Sequence, residues 1–219
     1  MKTYVVIAGN IGAGKSTLVR MVCEKLRWEP YYEPVEENPY LADFYGDMKR
    51  WAFNSQVFFL THRARSHRAL MDSRAAVVQD RSFYEDAEVF ARAQFLLGSL
   101  SERDWKTYLA LYRTLTTLLA PPDLVVYLRA SVPTLRRRIV LRARSIESAI
   151  SDDYLSRLNV LYEEWISHFD ISPVLVVQTD RLDFVEDSRD LRAIVASIQE
   201  HLRGRQGLLF PDEVPARTD

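Results

Sequence analysis

Several features are scarce in this sequence of 219 residues, and each scarcity argues against a class of protein. The single cysteine, Cys23, cannot form an internal disulfide, which favours a reducing compartment. There is no apolar run long enough to span a bilayer and no signal-peptide pattern. A formal net charge of −1 argues against bulk attraction to nucleic acids or anionic membranes. We therefore expect a cytoplasmic protein with neither nucleic acid nor membrane as a partner.

The remaining composition is that of a globular chain. Hydrophobic residues make up 47% of the sequence and charged residues 27%. We expect one domain over residues 1–203, followed by a loosely ordered tail at 204–219 that contains Pro, Gly and charge without periodicity. Cys23 falls on the inner face of the first predicted helix, where a packing role is expected. The four histidines show no metal-ligand spacing and are predicted to be surface or packing residues: His62, His67, His168 and His201.

One stretch near the start carries the strongest chemical signal. It fits G-x-x-x-x-G-K-[ST], the phosphate loop of nucleotide-binding enzymes, between an apolar strand and a helical run. Glycines let successive backbone N–H groups point inward at phosphate oxygens, the lysine supplies a charge, and the serine hydroxyl can bind Mg²⁺. The helix that follows adds its positive end to this anion site. The nine predicted nucleotide-binding residues are Gly9, Asn10, Ile11, Gly12, Ala13, Gly14, Lys15, Ser16 and Thr17.

Strand-like and helical runs alternate along the whole chain. Strands are predicted at about 2–8, 30–35, 74–80, 123–128 and 173–179. Helices are predicted after the phosphate loop and at about 51–70, 83–97, 102–119, 131–144, 151–169 and 187–203, with a turn at Gly46. Five apolar strands separated by helices predict an α/β fold with a parallel sheet covered on both faces.

Ligands of such sheets bind outside the carboxyl ends of the strands. This places Glu33, Asp80 and Arg81 beside the phosphate loop. Phosphoryl transfer needs a group that accepts the proton of the nucleophile, and Glu33 is the candidate; the alternative is a solvated loop glutamate. Asp80 could hold Mg²⁺ directly or through water, while Arg81 could pair with Glu33 or with the transferred phosphate. The alternative for Asp80 and Arg81 is an ion pair at the strand end.

An arginine-rich run follows the fourth strand. Arg138 and Arg142 are one helical turn apart and share a face, and Arg144 lies just beyond them. Such a run is usually a solvated basic face. The phosphate loop, however, already implies a polyanionic ligand, and an arginine-bearing lid is a known way to enclose one. We favour the lid.

Beyond these motifs, the chain resembles the deoxyribonucleoside kinases, most closely their bacterial deoxyadenosine/deoxyguanosine branch. The resemblance covers nearly the whole chain and rests on several segments: Glu33-Pro34-Val35-Glu36-Glu37-Asn38-Pro39-Tyr40, Trp51-Ala52-Phe53 with Gln56, Asp80-Arg81-Ser82, Arg138-Ile139 with Arg142, Arg144 and Glu147, and Tyr162-Glu163-Glu164-Trp165. It implies a P-loop kinase fold with an arginine-bearing lid, ATP and Mg²⁺ as cofactors, a deoxynucleoside substrate and a homodimer. The helices at 51–70 and 102–119 would form the subunit contact.

The resemblance also implies roles for individual residues. Glu33 would take the proton from the 5′-hydroxyl, and Arg81 would hold the site together, with Asp80 as the acidic residue before it. Lys15, Arg138 and Arg142 would act on the phosphates, and Asp183 and Phe184 would lie near the ATP base. The deoxynucleoside would contact Tyr45, Gln56, Arg63, Asp86, Arg144 and Glu147, with Arg63 oriented by Asp86. Phe59, Phe83 and Tyr84 are candidates to sandwich the base, or else ordinary core.

Three other functions fit parts of the pattern. A thymidylate-kinase-like nucleoside monophosphate kinase also has a phosphate loop, an Asp-Arg motif and an arginine lid, but needs a basic pocket for the phosphate of its acceptor. A GTPase-type switch is disfavoured because no Asp-x-x-Gly follows the third strand and no Asn-Lys-x-Asp is present. A catalytically silent nucleotide-binding module is the third alternative. The side chains themselves do not rank adenine, guanine and cytosine as the preferred base.

Overall fold

A five-stranded parallel sheet organises the protein. The computed structural model describes residues 3–32, 37–143 and 150–204. The strands are β1 (Tyr4–Gly9), β2 (Glu29–Tyr31), β3 (Val77–Asp80), β4 (Leu124–Arg129) and β5 (Val174–Gln178), in the spatial order β2-β3-β1-β4-β5. Every pairing is parallel. The predicted α/β fold with five parallel strands is therefore confirmed.

The central strands are buried because their side chains are apolar on both faces. All six residues of β1 and the first five of β4 are buried, as expected where helices cover both sides of a parallel sheet. The register pairs Ile7 of β1 with Asp80 of β3, and Gly9 with Leu128 of β4. The ends of β1 and β3 therefore open into one crevice beside β4.

Helices connect the strands. They are α1 (Lys15–Leu26), α2 (Leu41–Gly46), α3 (Met48–Asp72), α4 (Phe83–Glu85), a π-helical segment (Asp86–Ala91), α5 (Arg92–Leu96), α6 (Glu102–Thr116), α7 (Val132–Arg142), α8 (Asp152–His168) and α9 (Ser188–Leu202). Most agree with the predicted helices to within a few residues. Apolar side chains recur at helical spacing on the buried faces, as Leu155, Leu158, Tyr162 and Trp165 do on α8.

Two local expectations were wrong. The segment around Gly46, expected to be a turn, ends the short helix α2, and α3 begins two residues later, capped by Asp47, whose carboxylate accepts from Arg50 N–H at 3.1 Å. The helix expected at 83–97 is interrupted by the π-helical segment Asp86–Ala91. Such π segments are frequent at functional sites, and this one begins at a candidate site residue.

Two apolar clusters hold the elements together. The larger surrounds the sheet and includes Cys23, which is buried as predicted; burial, followed by the nearby Glu24 charge, raises the pKa of its thiol to about 11. The smaller lies among α2, α3, the π-helical segment and α6, with Leu60 and Tyr108 fully buried. The second cluster holds α3, which carries Gln56 and Arg63, against the π-helical segment and α6.

Some expectations concern the part of the chain beyond the described ranges. Apart from Gly204, the predicted tail lies outside the described residues. In the ranges that are described, no helix combines the length and the hydropathy needed to cross a bilayer.

Candidate active site

The phosphate loop follows β1 and enters α1, as its motif requires. Gly12 and Gly14 have φ angles of +83° and +98°, a region that residues with a Cβ rarely adopt. At Gly12 the packing is also tight: a Cβ would lie 2.8 Å from the Leu135 carbonyl oxygen and 2.9 Å from Ile139 Cγ1, both on α7. Glycine at this position therefore lets the loop curl while α7 packs directly against it.

Lys15 is folded over the loop that precedes it. Its side chain is 7% exposed, and its Nζ donates to the Asn10 carbonyl oxygen at 3.0 Å. The same carbonyl accepts from Ala13 N–H at 3.1 Å. The ammonium group thus lies at the mouth of the loop and at the positive end of α1, where an anion would interact with both.

Ser16 and Asp80 meet across the crevice. Ser16 Oγ donates to Asp80 Oδ2 at 2.5 Å, which brings together the two predicted Mg²⁺ ligands. Asp80 is 3% exposed, and among the described residues nothing donates a hydrogen bond to its Oδ1. A buried carboxylate oxygen without a hydrogen-bond donor costs free energy, so this atom suits a cation. No group of three or more His, Cys, Asp or Glu side chains that could hold a metal occurs in the described ranges.

Arg81 occupies a strained backbone position. Its φ angle is +69°, which is uncommon outside glycine and carries a free-energy cost that folded proteins tolerate mainly at functional sites. Its N–H continues the sheet pairing by donating to the Ile7 carbonyl at 3.0 Å. Its guanidinium carbon lies 4.1 Å from the ring centre of Phe90, so the cation is attracted to the face of an aromatic ring that lines the same cavity.

One cavity of about 230 Å³ connects the phosphate loop to the polar residues of α3 and of the π-helical segment. Of the predicted substrate residues, Tyr45, Gln56, Arg81 and Asp86 line it, as does Phe59. Five residues to which the sequence assigned no role also line it: Tyr32, Leu41, Phe44, Phe90 and Tyr154. The cavity therefore offers a charged end at Lys15 and Ser16, and an aromatic end with hydrogen-bonding groups.

Arg63 lies behind this aromatic end and is tied to Asp86. The Arg63 Nε to Asp86 Oδ2 distance is 2.6 Å, and both side chains are 3% exposed. The same guanidinium donates through Nη1 to the carbonyl oxygens of Arg81 at 3.2 Å and Asp80 at 3.4 Å. Arg63 thereby joins α3 to the strained turn after β3 and holds the Asp86 carboxylate at the cavity.

Two of the proposed base-sandwiching aromatics belong to the core instead. Phe83 is 2% exposed and stacks on Tyr112 with ring centres 5.2 Å apart. Tyr84 packs edge-on against Phe169 at 5.3 Å, on the side of the helix away from the cavity. Only Phe59 of these three lines the cavity, because its position on α3 places it in the same stretch as Gln56.

A second, open cavity of about 530 Å³ lies on the other side of the phosphate loop. It is lined by Gly12, Gly14 and Thr17 of the loop and by the predicted Asp183 and Phe184. Phe184 packs on the loop so closely that a Cβ at Gly14 would lie 3.1 Å from its Cζ. Gly12 and Arg142 line both cavities, so the loop separates two compartments that meet at its phosphate-binding face.

The two described arginines of the expected lid differ in their surroundings. Arg138 is anchored: its Nη1 donates to the Ala13 carbonyl at 3.1 Å and to Thr179 Oγ1 at 3.0 Å, and its Nη2 donates to the Thr179 carbonyl at 2.8 Å. Burial, together with the neighbouring Arg137, lowers the pKa of Arg138. Arg138 thus braces the loop from α7 and also lines the second cavity. Arg142, at the last turn of α7, lines both cavities.

Several predicted site residues lie outside the described ranges. These are Glu33, Arg144 and Glu147. Tyr32, the residue before Glu33, lines the first cavity. Arg136 of α7 links this helix to the residues that follow the undescribed stretch 144–149. Its Nε donates to Asp152 Oδ1 at 2.7 Å, and its Nη2 donates to the Ile150 carbonyl oxygen at 2.6 Å.

Glu85 is a site residue that sequence reasoning missed. It is fully buried, and its carboxylate accepts from Gly9 N–H at 3.2 Å and from Ser82 N–H at 2.6 Å. With Ser82 Oγ accepting from Glu85 N–H at 3.2 Å, these contacts form a complete capping box at the start of α4. The spacing Ser82-x-x-Glu85 was the available signal, but nothing in the sequence indicated that the same carboxylate reaches the phosphate loop.

Comparisons with known proteins agree with this geometry. The family model described as deoxynucleoside kinase matches residues 5–203. The chain is 34% identical over 206 residues to the deoxyadenosine/deoxycytidine kinase of Bacillus subtilis strain 168, covering 93% of this chain and 95% of that protein. It is 36% identical over 211 residues to a deoxyguanosine kinase of Lactobacillus johnsonii, and the alignment covers 90% of this chain and 93% of that protein.

Solved structures give the same result. A deoxyadenosine kinase from M. mycoides, with the products dCMP and a flexible dCDP bound, superposes with a TM-score of 0.81 at 32% identity. The alignment covers 90% of this chain and all of that one. The fold and the matched length together show that this chain belongs to the deoxynucleoside kinase family and is a kinase.

Proposed function

We propose that the protein transfers the γ-phosphate of ATP to the 5′-hydroxyl of a deoxyribonucleoside, as a step of nucleotide salvage. The observation that carries this proposal is the single cavity joining Lys15 and Ser16 to Gln56 and Asp86. A phosphoryl donor held by the loop and a nucleoside held by the aromatic end would share that space. The relatives with known substrates are kinases of deoxyadenosine, deoxyguanosine and deoxycytidine.

The donor would lie across the phosphate loop. Backbone N–H groups of residues 9–17 and Lys15 would bind its phosphates, and its base would enter the second cavity beside Phe184. Ser16 and the open oxygen of Asp80 would hold Mg²⁺, which supplies charge neutralisation at the phosphates when bound. Arg142, which lines both cavities, would stabilise the charge that develops between donor and acceptor.

The acceptor would lie between Phe59 and Phe90, with its base edge toward Gln56 and Asp86. A glutamine side chain offers a donor and an acceptor together, which suits an adenine edge, while the Arg63–Asp86 pair adds groups for guanine or cytosine. Purine deoxynucleosides are the proposed preference, and deoxycytidine is the third candidate. Tyr45 would contact the sugar, together with Glu147.

Glu33 is proposed as the base that removes the 5′-hydroxyl proton. Its support is that Tyr32, the preceding residue, lines the cavity within reach of Ser16 and Asp80, which line the same space. General bases contribute about 10²- to 10⁴-fold to rate, so Glu33→Gln is expected to lower kcat by that factor. Glu37→Gln is the matched control, because Glu37 is exposed and pairs with His62 at 3.3 Å. Equal rates in both variants would remove Glu33 from this role.

A substrate panel tests the reaction as a whole. Purified protein with Mg·ATP is assayed against all deoxy- and ribonucleosides and against dAMP and dTMP. We expect phosphorylation of deoxyadenosine or deoxyguanosine and none of the monophosphates. Turnover of dAMP or dTMP alone would instead support a nucleoside monophosphate kinase, and no turnover of any acceptor would support a binding module.

We further propose a homodimer that uses α3 and α6. These helices pack together within the chain, and α6 continues toward Leu118, which is 75% exposed. Light scattering on eluting protein is expected to give twice the mass of 25.4 kDa. Replacing Leu118 by Glu should weaken the dimer by placing charge in an apolar contact; a mass of one chain in the unaltered protein would contradict the proposal.

A further inference from the structure

Helix α8 contacts the phosphate loop from behind at two consecutive residues. The Tyr162 hydroxyl lies 2.7 Å from the Gly9 carbonyl oxygen. The Asn10 side chain donates through Nδ2 to Asn159 Oδ1 at 2.8 Å and to the Leu155 carbonyl at 2.9 Å. Residues 155, 159 and 162 lie on one face of the helix, so a single straight element reaches both loop residues.

The contact at Gly9 is made from both sides of the residue. Glu85 accepts from the Gly9 N–H at 3.2 Å, and the Tyr162 hydroxyl lies 2.7 Å from the Gly9 carbonyl oxygen and 2.7 Å from Glu85 Oε1. The phenol has one proton to donate, and the two oxygens share it. Glu85 and Tyr162 are both fully buried, so water does not compete for that proton. Burial, and next the Glu85 carboxylate, raises the pKa of Tyr162 well above 10, which keeps the phenol protonated at neutral pH.

Holding the Gly9 carbonyl has a consequence for the next peptide group. A trans peptide is planar, and its N–H points opposite to its carbonyl. Because the Gly9 carbonyl faces Tyr162, the N–H of Asn10 points away from α8. A phosphate loop binds its ligand with backbone N–H groups, so the orientation of this peptide decides whether one of them is available in advance.

We propose that Tyr162, with Asn159 beside it, is a positioning residue that sets the phosphate loop in its binding conformation before the nucleotide donor arrives. The proposal rests on the donor assigned above and adds the residues that prepare its site. Neither Tyr162 nor Asn159 lines either of the two cavities. Their effect passes through Gly9 and Asn10, and it should change donor affinity much more than acceptor affinity.

Tyr162→Phe is the central test, and Tyr127→Phe is its matched control. The two rings stack with centres 5.5 Å apart at an angle of 14°, and both are buried. The Tyr127 hydroxyl also donates to a carboxylate, Glu163 Oε1, at 3.0 Å. Burial and that carboxylate raise the pKa of Tyr127 as well. Each substitution therefore removes one phenolic hydroxyl from the same stack, but only the first removes a contact with the loop.

The measurements are the dissociation constant of Mg·ATP by calorimetry and the KM of the deoxynucleoside in steady-state assays. For Tyr162→Phe we expect the Mg·ATP constant to rise about tenfold, which is about 1.4 kcal/mol, and the deoxynucleoside KM to stay within about twofold. For Tyr127→Phe both should stay within about twofold. Equal donor affinities in the two variants, or equal changes in donor and acceptor constants, would overturn the proposal.

A second variant covers the case in which Tyr162→Phe unfolds the chain, as judged by its urea midpoint. Asn159→Ala leaves Asn10 its bond to the Leu155 carbonyl, and a rise of about threefold in the Mg·ATP constant is expected. No rise would overturn the proposal. Failure of the proposed function is a separate result: the unaltered protein would bind Mg·ATP and phosphorylate no deoxynucleoside.

Discussion

Replacing Gly12 by alanine tests whether the close packing of the phosphate loop against α7 is needed for donor binding. At φ +83° an L-residue costs about 1–2 kcal/mol of stability. The added Cβ would also lie 2.8 Å from the Leu135 carbonyl oxygen and 2.9 Å from Ile139 Cγ1. Because one of these atoms is backbone, relief requires the loop and α7 to separate, at a further cost of about 1–3 kcal/mol.

Gly98→Ala separates backbone strain from crowding. Gly98 has φ +73°, close to the value at Gly12, but a Cβ there would meet nothing within 4 Å. It follows α5 in a turn that belongs to neither cavity. Only the strain of about 1–2 kcal/mol is therefore expected, which in a domain of this size lowers Tm by roughly 2–8 °C. Activity should be unchanged.

Urea unfolding and steady-state kinetics with varied ATP measure both effects. We expect Gly12→Ala to lose about 2–5 kcal/mol of stability and to lower kcat/KM for ATP by about a hundredfold, since a displacement near 1 Å at a reacting group has that effect. A Gly12→Ala protein whose kcat/KM for ATP stayed within about threefold of that of Gly98→Ala would refute the argument. The contact between the loop and α7 would then have no bearing on catalysis.

Three further predictions follow from buried groups. Asp86→Asn removes the carboxylate charge that lies 2.6 Å from the buried Arg63 guanidinium, so urea unfolding should show a loss of about 3–5 kcal/mol. Lys106→Gln, which breaks an exposed pair with Glu102, should cost under about 1 kcal/mol. Arg138→Lys keeps the charge but loses the three bonds to the loop and Thr179, and the KM for ATP should rise about tenfold; an unchanged KM would contradict the bracing role. Cys23, with a pKa raised to about 11, should resist a thiol reagent at pH 8 in the native protein and react promptly in urea; rapid native labelling would contradict its burial.

Much of the architecture and part of the site could be predicted from the sequence, because both depend on local patterns. Apolar strand runs separated by helical periodicity imply a parallel sheet, and the carboxyl ends of its strands form one crevice. That rule placed Asp80 beside Ser16, and their contact at 2.5 Å agrees with it. The phosphate loop could be predicted from the nine residues of its own motif, without any other part of the chain. The resemblance to a family added Gln56, Tyr45 and the Arg63–Asp86 pair, which the structure brings to one cavity or directly behind it.

What the tertiary structure alone decided involves side chains that act on residues far along the chain. Glu85 and Tyr162 meet at Gly9 across separations of 76 and 153 residues, and no local pattern encodes such a meeting. Phe83 and Phe59 are both aromatic and both on helices, yet only packing sends one into the core and the other to the cavity. Periodicity determines which face of an element is apolar. Which neighbours that face contacts depends on how all the elements pack together, because the hydrophobic effect is non-directional and does not select a partner.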